Sequence, residues 1–351
     1  MNLARIILSP FSVTYQSILR LRNYLYDTGI LGVTSFDIPT ISVGNLAFGG
    51  TGKTPHIEYL IRLLVSDYKV AVLSRGYKRK TTGYVFADFN ATVEMIGDEP
   101  WQLSNKFKSV AVGVCENRVL GLPDLLFDAP ETQLVLLDDA FQHRAIKPGL
   151  SILLTDYNRR FTHDNLAPAG TLREYAAAYK RADIIVVTKC EPNMRVDKKM
   201  AIIGEIKPLN FQKVYFSYLR FGELQGIYNP ITLTNVDSVL VFAGIANPLS
   251  LLKEVNSRYK QVIFKQYPDH YSYNRKDADE IIELYNQLTG AVKIIITTEK
   301  DMTKLLNAEV KAVLEKLPLL FLPVEVEFFG TDKVEFDKQV LNYVGDNSTY
   351  N

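Results

Sequence analysis

Gly49, Gly50, Thr51, Gly52, Lys53 and Thr54 stand in one unbroken run, and their types suit the binding of a nucleoside triphosphate. Glycines let backbone N–H groups converge on anionic oxygens. A lysine reaches the β- and γ-phosphates of ATP, and a threonine hydroxyl joins the shell of a Mg2+ ion. The run follows the apolar residues Ile41 and Val43 and opens a helical pattern, the context such a loop requires. Ala47 occupies the place of the usual first glycine, where the chain leaves the strand.

Carboxylates supply the second half of the chemistry. The stretch "LVLLDDAFQHR" sets Asp138 and Asp139 at the end of a buried apolar run. A carboxylate there lies beside the phosphate loop in doubly wound folds and can hold the metal shell. An isolated Asp pair would more often cap a helix, and the loop upstream favours the metal. Spacing does not say which of the two does which job. For a general base, Asp98 and Glu99 in "GDEP" and Asp269 with His270 in "YPDHYSY" are candidates, although a lone histidine is more often structural.

Three classes of phosphate-loop protein compete for these residues. "TKCE" (Thr188–Glu191) is similar to the Asn/Thr-Lys-x-Asp guanine reader of GTPases, but neither Asp138 nor Asp139 has the glycine three residues later that a switch needs. A positioning ATPase with a deviant loop would place a lysine two residues before Gly50, where this chain has Phe48. A kinase for a small molecule or lipid hydroxyl is left.

The elements that must position these residues follow from periodicity. "TISV", "KVAVLS", "SVAVGV", "LVLLDD", "SILLTD" and "DIIVVTK" are short apolar runs of the kind parallel strands need when covered on both faces. Ile57, Leu60, Ile61 and Leu64 give the helix after the loop one apolar face, and Pro55 sits early enough for its missing N–H to cost little. The pattern predicts a P-loop NTPase-like doubly wound α/β domain over residues 1–212. Alternating aromatic-rich runs around Gly222 predict a β-hairpin linker over 213–237. The strand–helix alternation then resumes in "SVLVFAG", "QVIFK", "VKIIITT" and "PLLFLPVEV", predicting a second, smaller α/β domain over 238–345. The tail "GDNSTYN" reads as disordered.

Bulk properties bound the answer. The 351 residues allow two domains. A hydrophobic fraction of 47%, a charged fraction of 23% and a net charge of +1 describe a soluble globular chain and exclude a dedicated nucleic-acid binder. Two cysteines imply no disulfide framework. No apolar run reaches the ~18 residues that span a bilayer, and Pro10 breaks the one near the N-terminus. Tyr15, Ile18 and Leu19 recur at helical spacing among Arg5, Arg20 and Arg22, a helix that either packs on its own domain or lies on a membrane surface.

Nine segments together, "SVGNLAFGGTGKTP", "VLSRGYKRK", "GDEP", "VGVCENR", "LLDDAFQHR", "LAPAGTLRE", "FAGIANP", "YPDHYSY" and "TTEKD", resemble those of the tetraacyldisaccharide 4′-kinase family, the lipid A 4′-kinases of Gram-negative bacteria. They run in the expected order from about Ser42 to Asp301. The resemblance implies transfer of the γ-phosphate of ATP, with Mg2+, to the 4′-hydroxyl of an acylated glucosamine disaccharide 1-phosphate. It implies a peripheral enzyme at the cytoplasmic face of the inner membrane, docked through its N-terminal helix, and the expectation is a monomer. By resemblance Asp98 is the base and His270 its partner. Asp139 joins them as a catalytic carboxylate, and Asp138 with Thr54 holds the metal. Asn23, Arg75, Arg118, Gln142, His143 and Arg173 line the acceptor side, where guanidinium groups bind phosphate oxygens bidentately. A His270 in the second domain implies closure that excludes water.

Overall fold

A computed structural model of the chain describes residues 3–231, 235–245, 247–269 and 271–347, with side chains from Tyr15 onward. Two units emerge. The first comprises residues 1–219 and 326–351, and the second residues 220–325.

In unit 1 the elements run α1 (Leu3–Asp27), β1 (Thr40–Asn45), α2 (Lys53–Leu64), β2 (Val70–Ser74), β3 (Val85–Phe86), α3 (Val93–Ile96), α4 (Asp98–Lys106), β4 (Ala111–Val114), α5 (Arg118–Asp128), β5 (Leu134–Asp138), β6 (Leu150–Asp156), β7 (Ile184–Thr188), α6 (Val196–Ile206) and β8 (Lys213–Phe221). The apolar runs form parallel strands, with β5 and β6 on either side of β1. Alternate residues serve opposite faces, as the two-residue period of a strand dictates. Ile41, Val43, Val72 and Leu136 pack on one side with Ile57, Leu60, Ile61 and Leu64 of α2. Ala71, Leu73, Val135 and Leu137 pack on the other with Leu122 and Leu125 of α5, and Leu153 and Val187 with Ile202 and Ile206 of α6. Helices on both faces make this half doubly wound, as the periodicity predicts.

Unit 2 contains β9 (Gln225–Gly226), β10 (Ser238–Ala243), α7 (Leu249–Arg258), β11 (Val262–Gln266), α8 (Arg275–Asn286), β12 (Lys293–Thr298), α9 (Glu299–Leu305), α10 (Ala308–Leu314) and β13 (Leu319–Leu322). Its sheet has the order β11-β10-β12-β13-β9. Leu251 and Val255 of α7 cover one face, and Ala278, Ile281, Val310 and Leu314 of α8 and α10 cover the other. The chain then re-enters unit 1 through β14 (Val324–Phe328) and ends in α11 (Thr331–Asn347).

Four expectations change. No hairpin forms over 213–237: β8 pairs in parallel with β7 and lies next to β14 in the order β14-β8-β7-β6-β1-β5-β2-β4-β3, while β9 belongs to the other sheet. Local alternation around a glycine looks like a hairpin, yet the Gly222 N–H donates to Pro323 O, about a hundred residues away. "PLLFLPVEV" is two strands, broken at Pro323, which has no N–H to give a ladder. The second unit ends at Glu325 rather than 345, because Phe336, Val340 and Val344 of α11 complete the core around β1. Gly345–Asn347 of the expected tail are the last turn of that helix; residues 348–351 lie outside the described residues.

Candidate active site

The loop between β1 and α2 is fixed from several sides. Gly52 has φ of 89°, a left-handed angle that glycine adopts without a Cβ penalty, and it caps α2 directly before Lys53 and Thr54. Asn45, the last residue of β1, donates through Nδ2 to Thr51 Oγ1 at 2.8 Å. Thr188 of β7 donates to Thr51 O at 2.8 Å, and the Lys189 ammonium donates to Gly50 O. At the outer end, where Ala47 replaces a glycine, the segment "TLR" runs alongside. Phe48 N donates to Thr171 O at 2.7 Å and Arg173 N to Leu46 O at 2.7 Å. The loop therefore does not depend on that glycine for its shape.

His56, one turn into α2, is a second brace. Its Nδ1 lies 2.7 Å from Gly52 O and its Nε2 3.1 Å from Ser217 Oγ. A carbonyl only accepts, so Nδ1 carries the hydrogen and Nε2 accepts from the serine. Burial, with Lys189 nearby, lowers its pKa to about 4, against the opposing pull of the Gly52 carbonyl, so it is neutral at pH 7.

The two aspartates have different surroundings. Register places Asp138 beside Val43, at the mouth of the loop. Ser74 Oγ donates to its Oδ2 at 2.8 Å, while Oδ1 is buried with no hydrogen-bond partner. Burial, with Glu99 and Asp139 close by, pushes its carboxyl up to about 6, against the pull of Lys53 and Ser74. Asp139 receives Arg173 Nη1 at 2.9 and 3.1 Å and has Lys53 Nζ at 3.6 Å. Burial works to raise its pKa, but the cations of Lys53, Arg173 and Arg118 outweigh it and hold Asp139 below the usual carboxylate range.

Asp98 opens α4 behind Gly97, whose φ of 91° and close approach to Tyr77 O leave no room for a side chain; a Cβ would fall 2.9 Å from that oxygen. Asp98 is largely buried, and the charge of its neighbour Glu99 reaches Asp138. This brings "GDEP" to the carboxylate end of the site. Arg118 is almost wholly buried, and its guanidinium donates to the carbonyls of Glu116, Asp138 and Asp139 at 3.0, 3.1 and 3.2 Å. It acts on the site through the backbone of the two aspartates.

Next to Arg118 lies a cationic hollow. Arg75 is exposed, and burial together with Arg118, Arg75 and Arg22 lowers the pKa of His143 to about 4. Nε2 of His143, Nε of Arg22 and Oδ1 of Asn23 are buried without a hydrogen-bond partner. Gln142 donates to Asn45 O at 2.6 Å, tying the hollow to the end of β1. The lower half of α1 forms a wall: Asn23 Nδ2 donates to Glu174 at 3.0 Å and Tyr15 to Arg173 O at 2.8 Å. Of these, the Arg22 Nε is a buried charged donor with no acceptor, which suits an anionic oxygen.

The model of tetraacyldisaccharide-1-P 4′-kinases matches residues 4–344. The chain belongs to that family. A tetraacyldisaccharide 4′-kinase of Bacteroides thetaiotaomicron is 43% identical over 356 residues, covering 97% of this chain and 93% of that protein. One from Flavobacterium johnsoniae is 41% identical, covering 99% of each. Among solved structures, LpxK from Aquifex aeolicus in complex with ATP has a TM-score of 0.73 and 28% identity, covering 97% of this chain and 100% of that one.

In this family member the motifs of unit 2 also converge, at the carboxyl ends of its strands. Asp301 of "TTEKD" is fully buried and accepts from Gly244 N of "FAGIANP" at 2.9 Å and from Thr298 at 2.7 Å. Tyr273 of "YPDHYSY" lies against it, and burial with the Asp301 charge raises the tyrosine pKa strongly. Asp269 is 3.6 Å from Lys300. His270 lies outside the described residues. Unread in the sequence were Asn45, Ser74, His56 and Glu174. Each has a partner far off in the sequence, at 97 positions for Asn45, 64 for Ser74, 161 for His56 and 151 for Glu174, so no local spacing marks them.

Proposed function

We propose that this chain performs the reaction for which its family is named, transferring the γ-phosphate of ATP to the 4′-hydroxyl of tetraacyldisaccharide 1-phosphate. The observation that carries the reading is the cluster of Lys53, Asp138, Asp139 and Arg173 at the mouth of the phosphate loop. In the proposed mechanism Asp98 takes the proton of the acceptor hydroxyl. That oxygen attacks the γ-phosphorus, the bond to the bridging oxygen breaks, and ADP leaves. Asp98 stands in the first turn of α4, where Gly97 fixes its backbone. Lys53 and Arg173, held in place by Asp139, face the charge that develops on the transferring group. His270 is proposed as the partner of Asp98.

Asp138 and Thr54 fit a Mg2+ ion. The free Oδ1 of Asp138 is a buried acceptor, and the threonine hydroxyl stands in the first turn of α2. Among the described residues no cluster of three or more acidic, His or Cys side chains could hold a metal, which agrees with an ion that takes one or two carboxylates and completes its shell from phosphates and water. When bound, the ion neutralises phosphate charge.

The hollow of Asn23, Arg75, Gln142 and His143 is proposed to receive the phosphorylated headgroup. Ile18, Leu21 and Tyr24 are exposed at 61%, 60% and 61%, at i, i+3 and i+6 of α1, whereas Leu19 is buried. That outward stripe, with Arg20 exposed beside it, supports docking on a lipid surface, and we assign that surface to the cytoplasmic face of the inner membrane and the docked species to a monomer. No helix among the described residues is long and apolar enough to cross a membrane.

Incubation with γ-labelled ATP, Mg2+ and tetraacyldisaccharide 1-phosphate in mixed micelles is expected to label a bis-phosphorylated lipid. Lys53→Ala abolishes the label, and Asp98→Ala lowers kcat by about 100-fold or more while ATP still binds. ATP turnover without labelled lipid overturns the reading.

A further inference from the structure

The strap of chain that follows β2, residues 75–83, has so far entered only through Arg75. It runs between the parts proposed to do the chemistry. Arg75, at its start, stands near Arg118 and His143. Gly76 and Tyr77 then press on Gly97, where a Cβ would meet Tyr77 O at 2.9 Å and the Gly76 Cα at 3.6 Å. Asp98 is the next residue. The shape of the strap therefore sets both the place of Arg75 and the backbone that carries Asp98.

Arg79 holds the strap from within, and its side chain is only 2% exposed. Its stem passes over Gly76, where a Cβ would fall 2.5 Å from Arg79 Cδ. Arg79 Nη2 donates to Gly83 O at 2.5 Å and to Glu116 Oε1 at 2.6 Å, and Gly83 N donates to Glu116 Oε2 at 3.1 Å. One carboxylate thus closes the loop on itself. Burial works to raise the Glu116 carboxyl, but the bond from Arg79 outweighs it and holds the group below the usual carboxylate range. The main-chain carbonyl of Glu116 accepts from Arg118 Nη1 at 3.0 Å, and Arg118 Nη2 reaches Asp138 O and Asp139 O. Glu116 is joined to the strap by its side chain and to the two aspartates by its main chain.

A pair kept for stability alone would be built differently. Nε and Nη1 of Arg79 are buried with no hydrogen-bond partner, and a buried charge with unmet donors costs stability. An apolar side chain of similar length would fill the space without that cost, and Glu116, 44% exposed, would return to water. What the charged pair alone supplies is a fixed shape of the strap.

We propose that Arg79 and Glu116 are positioning residues for the acceptor: their ion pair locks residues 75–83 so that Arg75 meets the phosphorylated headgroup and Asp98 meets the hydroxyl. The inference rests on the proposed phosphoryl transfer and concerns its acceptor side. The phosphate loop has its own braces at Asn45, Thr188 and Lys189.

Lipid phosphorylation is measured for the full-length protein, Arg79→Met, Glu116→Ala and the double variant, at varied tetraacyldisaccharide 1-phosphate in mixed micelles. Arg79→Met is expected to lower kcat/KM for the lipid about tenfold or more, the order of loss that a small misplacement of reacting groups brings. Its Kd for ATP, by calorimetric titration, should stay within about twofold of the wild type, and its melting temperature within about 2 °C. The double variant should lose no more than about twofold beyond Arg79→Met, because the two side chains act as one unit. Amide hydrogen exchange over residues 75–83 should quicken in each variant, a readout that needs no lipid. Unchanged kcat/KM for the lipid in folded Arg79→Met overturns the proposal. Equal weakening of ATP binding overturns it too, since the pair would then support unit 1 in general, and so do independent, multiplying losses in the double variant. If Arg79→Met does not fold, Glu116→Ala, on a half-exposed side chain, carries the same readings. Wild-type protein that labels no lipid, with exchange altered in the variants as expected, defeats the phosphoryl-transfer reading and leaves the lock standing. Labelled lipid with unaltered exchange in the variants defeats the lock alone.

Discussion

Asp139 is not glycine, yet its φ is 48°. Its backbone is held there by the Arg118 guanidinium on its carbonyl and by Arg173 and Lys53 on its carboxylate. A lysine in place of Arg118 cannot span three carbonyls with a planar fork. Arg118→Lys is expected to leave buried carbonyls unpaired, costing about 1–3 kcal/mol in urea unfolding, and to lower kcat more than the KM for ATP. Asp138 gives a prediction in pH. Its folded pKa of about 6 lies above its ordinary value of 3.8, so the folded state binds its proton more tightly than the unfolded state does. The stabilising contribution is complete below about 4 and is lost as pH rises through about 6. Asp138→Asn should remove that loss: the melting temperature of the variant should gain on the wild type across this window. Activity should have the opposite slope, since the carboxylate proposed to hold the metal must be ionised, so wild-type turnover should fall below about pH 6.

At the scale of elements, α2 and α4 matter together, because one begins at Lys53 and the other at Asp98. Glu58 of α2 is buried and accepts from Gln102 and Lys106 of α4 at 2.9 and 2.7 Å, and from Arg62 at 3.0 Å. Glu58→Ala strands those donors in a partly buried site and should cost about 3–5 kcal/mol by denaturant titration. Glu58→Gln, which keeps the shape, should lose less. The His56 brace adds acid sensitivity. Its folded pKa of about 4 lies below its ordinary value of 6.5, so its contribution is complete above 6.5 and is lost as pH falls toward 4. His56→Asn should flatten that limb of the melting curve. The strands of unit 1 and α2 were legible because burial on both faces, or along one stripe, writes a periodic pattern. The phosphate loop was legible because close approach to phosphates demands glycine and lysine in a fixed order. The braces were not legible: Glu58–Lys106, His56–Ser217 and Ser74–Asp138 join residues 48, 161 and 64 positions apart, and no local spacing reports that. The hairpin expected around Gly222 failed for the same reason, since Pro323 O is remote in sequence.

For the whole molecule, the outward stripe of α1 leads to a test in lipid. Ile18→Asp with Leu21→Asp should abolish co-sedimentation with anionic vesicles, while ATP binding by the loop is retained. The passage of the chain sets a different constraint. Phe336 packs against Phe328 with ring centroids 4.4 Å apart, Val340 and Val344 extend the same core, and the Tyr343 hydroxyl bonds to the main chain of Thr40 at the start of β1. Removing residues 326–351 should therefore unfold unit 1, read as loss of its cooperative melting transition. A helix that follows the whole of unit 2 in the chain thus closes the core around the strand that carries the phosphate loop. On the ribosome the second unit can be complete while the first still lacks its keystone, so nascent chains have no finished core under the phosphate loop until α11 has emerged. The order of translation itself withholds ATP chemistry from unfinished protein.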